Sequence, residues 1–92
     1  MAATTLATDD FLSRCLRENL RYYRTQAGYT QRQVAEYLHL SRPAYTYYET
    51  GKTAPSALHL ARLAALYAIP MEGFLALPAG GRSPGQARKK RR

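Results

Sequence analysis

Cysteine and acidic residues are scarce in this 92-residue sequence, and their scarcity excludes several kinds of protein. The single cysteine, Cys15, rules out an internal disulfide framework and cannot build a cysteine-based zinc site alone. The two histidines, His39 and His59, lie far apart with few carboxylates near them. Only six residues are Asp or Glu, and the sequence contains no catalytic arrangement of paired carboxylates, no nucleophile–base arrangement and no phosphate-binding loop. We therefore predict that the protein is not an enzyme and uses no metal or cofactor.

Long apolar runs are missing as well. No stretch of about 18 apolar residues occurs, so the sequence predicts no membrane-spanning helix. The segment 1–10 lacks the basic and apolar regions of a secretory signal. These two features lead us to expect a cytoplasmic protein without a membrane partner. The short length leaves room for one small domain.

Basic residues outnumber acidic ones by 14 to 6, and the net charge of +8 predicts an acidic partner such as nucleic acid. Six of the basic residues and none of the acidic ones lie in residues 79–92, so this stretch carries +6 and the preceding residues carry +2. Residues 78–92 are rich in glycine, proline and polar residues. We predict a disordered basic tail there, which binds phosphates without reading sequence, remains solvated, or is a remnant of cloning. Residues 1–8 are predicted to be flexible.

The sequence between these ends has helical periodicity. A first helix is predicted to start at Asp9 and Asp10, where carboxylates favour a helix N-terminus, and to end at Gly28. Its apolar stripe consists of Leu12, Leu16, Leu20, Tyr23 and Ala27. Arg14, Arg17 and Arg21 form a basic strip on this helix, which we interpret as a solvated face.

Capping and helix-breaking residues divide the rest of the chain. Thr30 and Gln33 have capping-box spacing for a second helix, and Ser41 with Pro43 in the first turn predicts a third. Pro55 suits the first turn of a fourth helix, and Pro70 starts a short fifth one. The prediction is a compact all-α domain over residues 9–77.

Several segments, in this order and spacing, resemble one known family. They are residues 20–24, 28–35 (GYTQRQVA), 41–52 (SRPAYTYYETGK), 55–64 and 69–75. Together they are similar to the phage-repressor-like (Cro/C1-type, XRE-type) helix-turn-helix DNA-binding domains. The resemblance implies a five-helix bundle that binds double-stranded DNA and places the recognition helix, residues 41–50, in the major groove.

The resemblance also implies individual roles. The residues assigned to DNA bases are Arg42, Pro43, Thr46 and Tyr47, although Arg42 could be solvated and Tyr47 could pack against a neighbour. Those assigned to DNA phosphates are Gln31, Arg32, Lys52 and Thr53. Arg24 and Glu49 are expected to form a largely buried structural ion pair, and Tyr45 and Tyr48 to face inward.

Three residues depart from the family pattern. His39 stands before the recognition helix and Ala68 follows the fourth helix, and the family usually has glycine at both positions. A left-handed backbone at these positions would cost more for these residues than for glycine. Pro70 replaces the usual Ser or Thr cap of the last helix.

These features predict a sequence-specific transcriptional regulator, with repression as the expected mode. One recognition helix reads few base pairs, so we expect a homodimer on a palindromic site. Candidates for the dimer patch are Leu58, Leu66, Leu75 and Leu77. The alternative is an antitoxin or another protein-interaction module, which binds a partner protein such as a toxin and also its own operator.

Overall fold

The computed structural model describes the backbone of residues 2–77 and the side chains of residues 10–77. The order of elements is α1 (Ala2–Ala27), α2 (Gln31–Tyr37), α3 (Arg42–Thr50), α4 (Ala57–Tyr67) and a 3-10 helix (Met71–Leu75). No strand occurs among these residues, which confirms the all-α prediction. None of the described helices is both long and apolar enough to cross a membrane.

One prediction about the first helix and one about the last helix are wrong. α1 begins at Ala2 rather than at Asp9 or Asp10. The last helix is a 3-10 helix, so the bundle has four α-helices and one tighter turn instead of five α-helices. The Gly73 N–H donates to the Pro70 carbonyl at 2.8 Å, the short-range bond that closes a 3-10 turn. The predicted division into segments 1–8, 9–77 and 78–92 stays a prediction, since the basic tail lies outside the described residues.

Side-chain caps start the three short helices. Thr30 Oγ1 accepts a bond from the Gln33 N–H at 3.0 Å, and Gln33 Oε1 accepts one from the Thr30 N–H at 2.9 Å, so the predicted capping box is present. Ser41 caps α3 with Pro43 in its first turn, as predicted. Ser56 caps α4, so the prediction that Pro55 lies in the first turn is wrong.

Left-handed conformations occur at the two non-glycine residues that stand where the family usually has glycine. His39 has φ 62° and Ala68 has φ 58°, and these are the positive-φ residues other than glycine in the described chain. His39 allows the chain to reverse between α2 and α3, and the Leu40 N–H then donates to the Ala35 carbonyl at 2.8 Å. Pro70 precedes the 3-10 helix and provides no side-chain cap, because the proline ring has no hydrogen-bonding side-chain atom.

The core lies where α1 crosses the other helices. Its buried members include Leu20, Val34, Leu38, Tyr45, Leu63 and Phe74, and half-buried Tyr23, Tyr48, Leu66 and Tyr67 pack around them. Cys15 is fully buried, while Ala27 is exposed although it continues the predicted apolar stripe. The buried Asn19 amide donates to the carbonyls of Phe74 and Ala76, both at 2.9 Å, and so fixes the 3-10 helix on α1.

Candidate nucleic-acid interface

α3 has one buried side and one exposed side. Tyr45 is fully buried on the inner side, and the Tyr48 hydroxyl lies 2.7 Å from Nδ1 of His59 on α4. Arg42, Pro43 and Tyr47 are exposed on the outer side. This division follows the helical spacing of the residues, because positions three or four apart share a face. α3 therefore presents a polar and cationic surface while two tyrosines hold it on the domain.

The C-terminal end of α3 is held on α1 by an ion pair. Arg24 Nε donates to Glu49 Oε2 at 2.6 Å, and Arg24 Nη2 donates to Glu49 Oε1 at 3.1 Å. The Glu49 side chain is 4% exposed and the Arg24 side chain 13%. The structure thus brings together the two residues that the resemblance paired. The two parallel bonds fix the angle of the guanidinium as well as its distance.

Two further side chains donate to the same carboxylate. The Tyr45 hydroxyl donates to Glu49 Oε2 at 2.6 Å, and Gln31 Nε2 donates to Glu49 Oε1 at 3.1 Å. Because a carboxylate only accepts hydrogen bonds, the Gln31 amide must turn its nitrogen toward Glu49. Its oxygen then accepts a bond from Thr46 Oγ1 at 2.9 Å. Hydrogen bonds therefore connect α1, the start of α2, and the middle and C-terminal end of α3.

The network keeps Glu49 charged. Burial by itself raises the pKa of Glu49, but the hydrogen bonds from Arg24, Tyr45 and Gln31 outweigh it and hold the pKa below the ordinary value. The hydrogen bond to Glu49 raises the pKa of Arg24. Burial, together with the bond to Glu49, raises the pKa of Tyr45 far above the usual phenol value. At neutral pH the pair is fully ionised and the phenol is a donor.

An open cleft of about 600 Å³ lies next to this network. It is lined by Arg24, Tyr29, Thr30, Gln31, Arg32 and Arg42. The guanidinium of Arg24 is paired with Glu49, so Arg32 and Arg42 give this arginine cleft the positive charge that attracts anions. Two residues assigned to phosphates, Gln31 and Arg32, thus lie beside Arg42, which was assigned to a base.

The other two residues assigned to phosphates lie at the far end of α3. Gly51 ends the helix with φ 88°, and the following loop turns back so that the Thr53 N–H donates to the Tyr47 carbonyl at 3.3 Å. Lys52 Nζ lies 4.7 Å from the centre of the Tyr47 ring. Tyr47 thus packs against Lys52. Because Tyr47 is 38% exposed, it still presents ring surface to solvent.

A family model described as helix-turn-helix matches residues 20–74, which is more than half of the chain. The chain belongs to the helix-turn-helix family. The match begins at the buried Leu20 and ends at the buried Phe74, so it includes α2, α3, α4 and most of the core. It confirms the resemblance drawn from the sequence.

A curated relative is the SPbeta prophage-derived uncharacterized HTH-type transcriptional regulator YonR of Bacillus subtilis (strain 168), 33% identical over 58 residues. The aligned part covers 63% of this chain and 54% of the relative. The chain therefore spans about half the length of the curated relative it matches. No solved structure matches the chain.

Within this helix-turn-helix domain, some features of the site were not predicted from the sequence. Tyr45 was assigned to the core, yet its hydroxyl also binds Glu49, and the spacing of four residues on one helix was the available signal. Tyr29 was given no role, but it lines the arginine cleft. The bond between Thr46 and Gln31 joins two helices and has no signal in local sequence. Residues 10–77 contain no cluster of three His, Cys, Asp or Glu side chains that suits a metal ion.

Proposed function

We propose that this protein is a transcriptional regulator that binds double-stranded DNA with sequence specificity through α3. The observation that carries the proposal is the two-sided character of α3, with Tyr45 fully buried and Arg42 and Tyr47 exposed on the opposite side. The major groove is the groove wide enough to admit an α-helix, and it presents a distinct pattern for each base pair. A helix held by its inner side and free on its outer side suits that groove.

Each outward residue of α3 has a chemistry that fits base edges. Arg42 can donate two hydrogen bonds to O6 and N7 of a guanine, which is worth about 1–3 kcal/mol of discrimination. Pro43 and the methyl group of Thr46 offer apolar contact to a thymine methyl. Because the Thr46 hydroxyl donates to Gln31 Oε1, the methyl group is the part of Thr46 that is left for a base contact. Tyr47 can reach a base edge or a phosphate.

Phosphate contacts on both sides of α3 would fix its register on the duplex. The Gln31 amide uses one N–H on Glu49 and has a second one for a phosphate oxygen. Arg32 lines the arginine cleft beside it. Lys52 and the Thr53 hydroxyl offer a cation and a neutral donor at the other end of α3.

We further propose that the protein is a homodimer, and that it represses transcription by occupying a palindromic operator. A single α3 contacts few base pairs, and a second copy doubles the site. Leu58, Leu75 and Leu77 are 67%, 41% and 63% exposed, which supports their assignment to the dimer patch. Leu66 is half-buried against the core, so it offers less surface to that patch than the other three leucines. The cytoplasmic location expected from the sequence belongs to the same proposal.

The relative supports this function by its name, which describes a transcriptional regulator. The helix-turn-helix family is typically non-enzymatic, in agreement with the expectation that this protein is not an enzyme. The chain spans about half of the relative's length. We therefore assign the relative's function to this protein as a proposal only.

Selection of bound sequences from a random duplex library tests the proposal. We expect enrichment of one motif, arranged as two inverted half-sites about 34–36 Å apart, which is one helical turn of DNA. Failure to enrich any motif over unselected DNA would contradict sequence-specific binding. A tight complex with a co-purified protein, combined with such a failure, would favour the antitoxin or interaction-module alternative.

A further inference from the structure

The side chain of Arg17 on α1 lies against Gly51, the residue that ends α3. A Cβ atom at position 51 would overlap Cδ of Arg17 and would lie 3.1 Å from both Nε and Nη1. Arg17 therefore fills the space that any side chain at position 51 would need. Arg17 is half-buried, whereas Arg14 and Arg21 on the same strip are exposed. The strip is thus not uniformly solvated, and one member has a defined position.

The position of Arg17 is set by the packing of α1 on α3. Arg17 and Arg24 are seven residues apart, which places them on the same face of α1, about two turns from each other. Arg24 anchors this face to Glu49, and Arg17 meets Gly51 two residues further along the chain from Glu49. The guanidinium of Arg17 therefore sits beside the loop after α3 because of the same helix crossing that builds the ion pair.

No acidic side chain in the described part of the chain explains this placement. Among residues 10–77 the ion pair is the one between Arg24 and Glu49, and Arg17 takes no part in it. Arg17 Nη1 donates to Ser13 Oγ at 3.3 Å, a bond within α1 that leaves other N–H donors of the guanidinium unused. A cation held in place without a counter-charge is prepared for an anion from outside the domain.

We propose that Arg17 binds a phosphate of the DNA backbone beside Lys52. Lys52 directly follows Gly51, so the two cations flank one loop at the C-terminal end of α3. This inference rests on the proposed function, and it extends the phosphate-binding surface from α2 and the loop to α1. It also gives Gly51 two tasks, the positive φ that ends α3 and the room that Arg17 occupies.

A purely structural role for Arg17 makes a different prediction. A cation near the C-terminus of α3 stabilises the helix through its dipole, and its aliphatic chain covers the Gly51 backbone. Loss of that role lowers stability and leaves the salt dependence of DNA binding unchanged. Loss of a phosphate contact lowers the salt dependence itself, because fewer counterions are released.

The test uses the 92-residue chain and its Arg17→Gln, Arg17→Lys and Arg14→Gln variants. Binding is measured by fluorescence anisotropy between 50 and 200 mM salt on two duplexes, one recovered by selection and one scrambled. For Arg17→Gln we expect the slope of log affinity against log salt to fall by about 0.9 on both duplexes. The affinity loss is then about threefold to fourfold larger at the low end of that salt range than at the high end. Arg17→Lys is expected to keep the slope of the original protein, and Arg14→Gln is the matched control for loss of one exposed charge.

Each other outcome overturns the proposal. An unchanged slope for Arg17→Gln, with or without a lower melting temperature, would leave Arg17 a structural role alone. Equal losses for Arg17→Gln and Arg14→Gln would show a general effect of charge on α1 rather than a positioned contact. Absence of duplex binding by the unsubstituted protein would overturn the proposed function itself, and that result differs from loss of the Arg17 contact alone.

Discussion

Glu49 shows how one buried residue can organise the surface that we propose binds DNA. Its carboxylate accepts bonds from Arg24, Tyr45 and Gln31, and it is almost completely buried. A buried charge with good partners contributes little net stability, but removal of one partner leaves the other uncompensated. Glu49 therefore sets the angle of α3 against α1 and the orientation of the Gln31 amide together.

The lowered pKa of Glu49 predicts how stability depends on pH. Unfolded Glu has a pKa of about 4.3, so the unfolded state binds the proton first as pH falls. The stabilising contribution of Glu49 is complete above that value and is lost as pH falls through the lower pKa of the folded state. Urea unfolding should show a decline in this acidic window that is shallower for Glu49→Gln. At pH 7 this variant should lose about 3 kcal/mol, because Arg24 loses its counter-charge.

Glu36 supplies the control for this pH prediction. It is exposed on α2, so Glu36→Gln should change stability by less than about 0.5 kcal/mol and keep the steeper decline. An equal response of the two variants to acid would show that Glu49 is not the group responsible.

Arg42 and Lys52 are expected to fail in different ways. Arg42→Ala should relax the preference at one base position, with a loss of about 1–3 kcal/mol on the selected duplex and little on scrambled DNA. Lys52→Ala should weaken binding to all duplexes alike and lower the salt slope by about one. Anisotropy titrations on selected and singly mutated duplexes separate the two patterns. Equal losses on every duplex for Arg42→Ala would argue against direct readout.

At the scale of elements, the helix caps and helix ends that depend on residues close together in the chain were predicted correctly from the sequence. The capping box of Thr30 and Gln33, the cap at Ser41 and the end of α3 at Gly51 are local hydrogen-bonding events, and all are present. The start of α1 was wrong because carboxylates at a helix start are a preference, and Asp9 and Asp10 lie within the helix instead.

The site could be predicted only in part, for a related reason. The family resemblance, together with helical spacing, separated inward Tyr45 from outward Arg42 and Tyr47, because that division is a property of one helix. The bonds from Thr46 to Gln31 and between Tyr48 and His59 depend on how helices cross. Crossing angles are set by packing of the whole core, and no stretch of sequence encodes them locally.

The turn after α4 offers a test of strain in one element. Ala68 adopts the left-handed conformation with φ 58°, and its side chain is exposed. We expect Ala68→Gly to stabilise the domain by about 1 kcal/mol, because glycine has no Cβ penalty there. In thermal unfolding this corresponds to an increase of about 4–8 °C in Tm.

Ala61, an exposed residue within α4, provides a control in which the same substitution is expected to have the opposite effect on stability. Ala61→Gly should lower stability by about 1 kcal/mol, since the same substitution within a helix interior adds backbone entropy to the unfolded state. A loss of stability in both variants would mean that the left-handed turn at Ala68 carries no appreciable strain.

At the scale of the whole molecule, the net charge of +8 divides into two parts with different expected effects. The part described by the structure places Arg32, Arg42 and Lys52 around the outward side of α3, although the sequence up to residue 78 carries only +2. Their arrangement, rather than their number, makes this side cationic. The remaining +6 belongs to the tail predicted from sequence.

Removal of residues 78–92 should therefore change affinity without changing which sequence is selected. We expect the salt slope to fall by about 0.9 for each phosphate contact that the tail makes, equally on selected and scrambled duplexes. The motif enriched by the shortened chain should match that of the full chain, because base contacts are assigned to α3. The matched control keeps the length and replaces the six basic tail residues by glutamine, and it should reproduce the lower slope. Unchanged slopes in both variants would show that the tail stays in solvent, whereas loss of the motif would place part of the sequence readout in the tail.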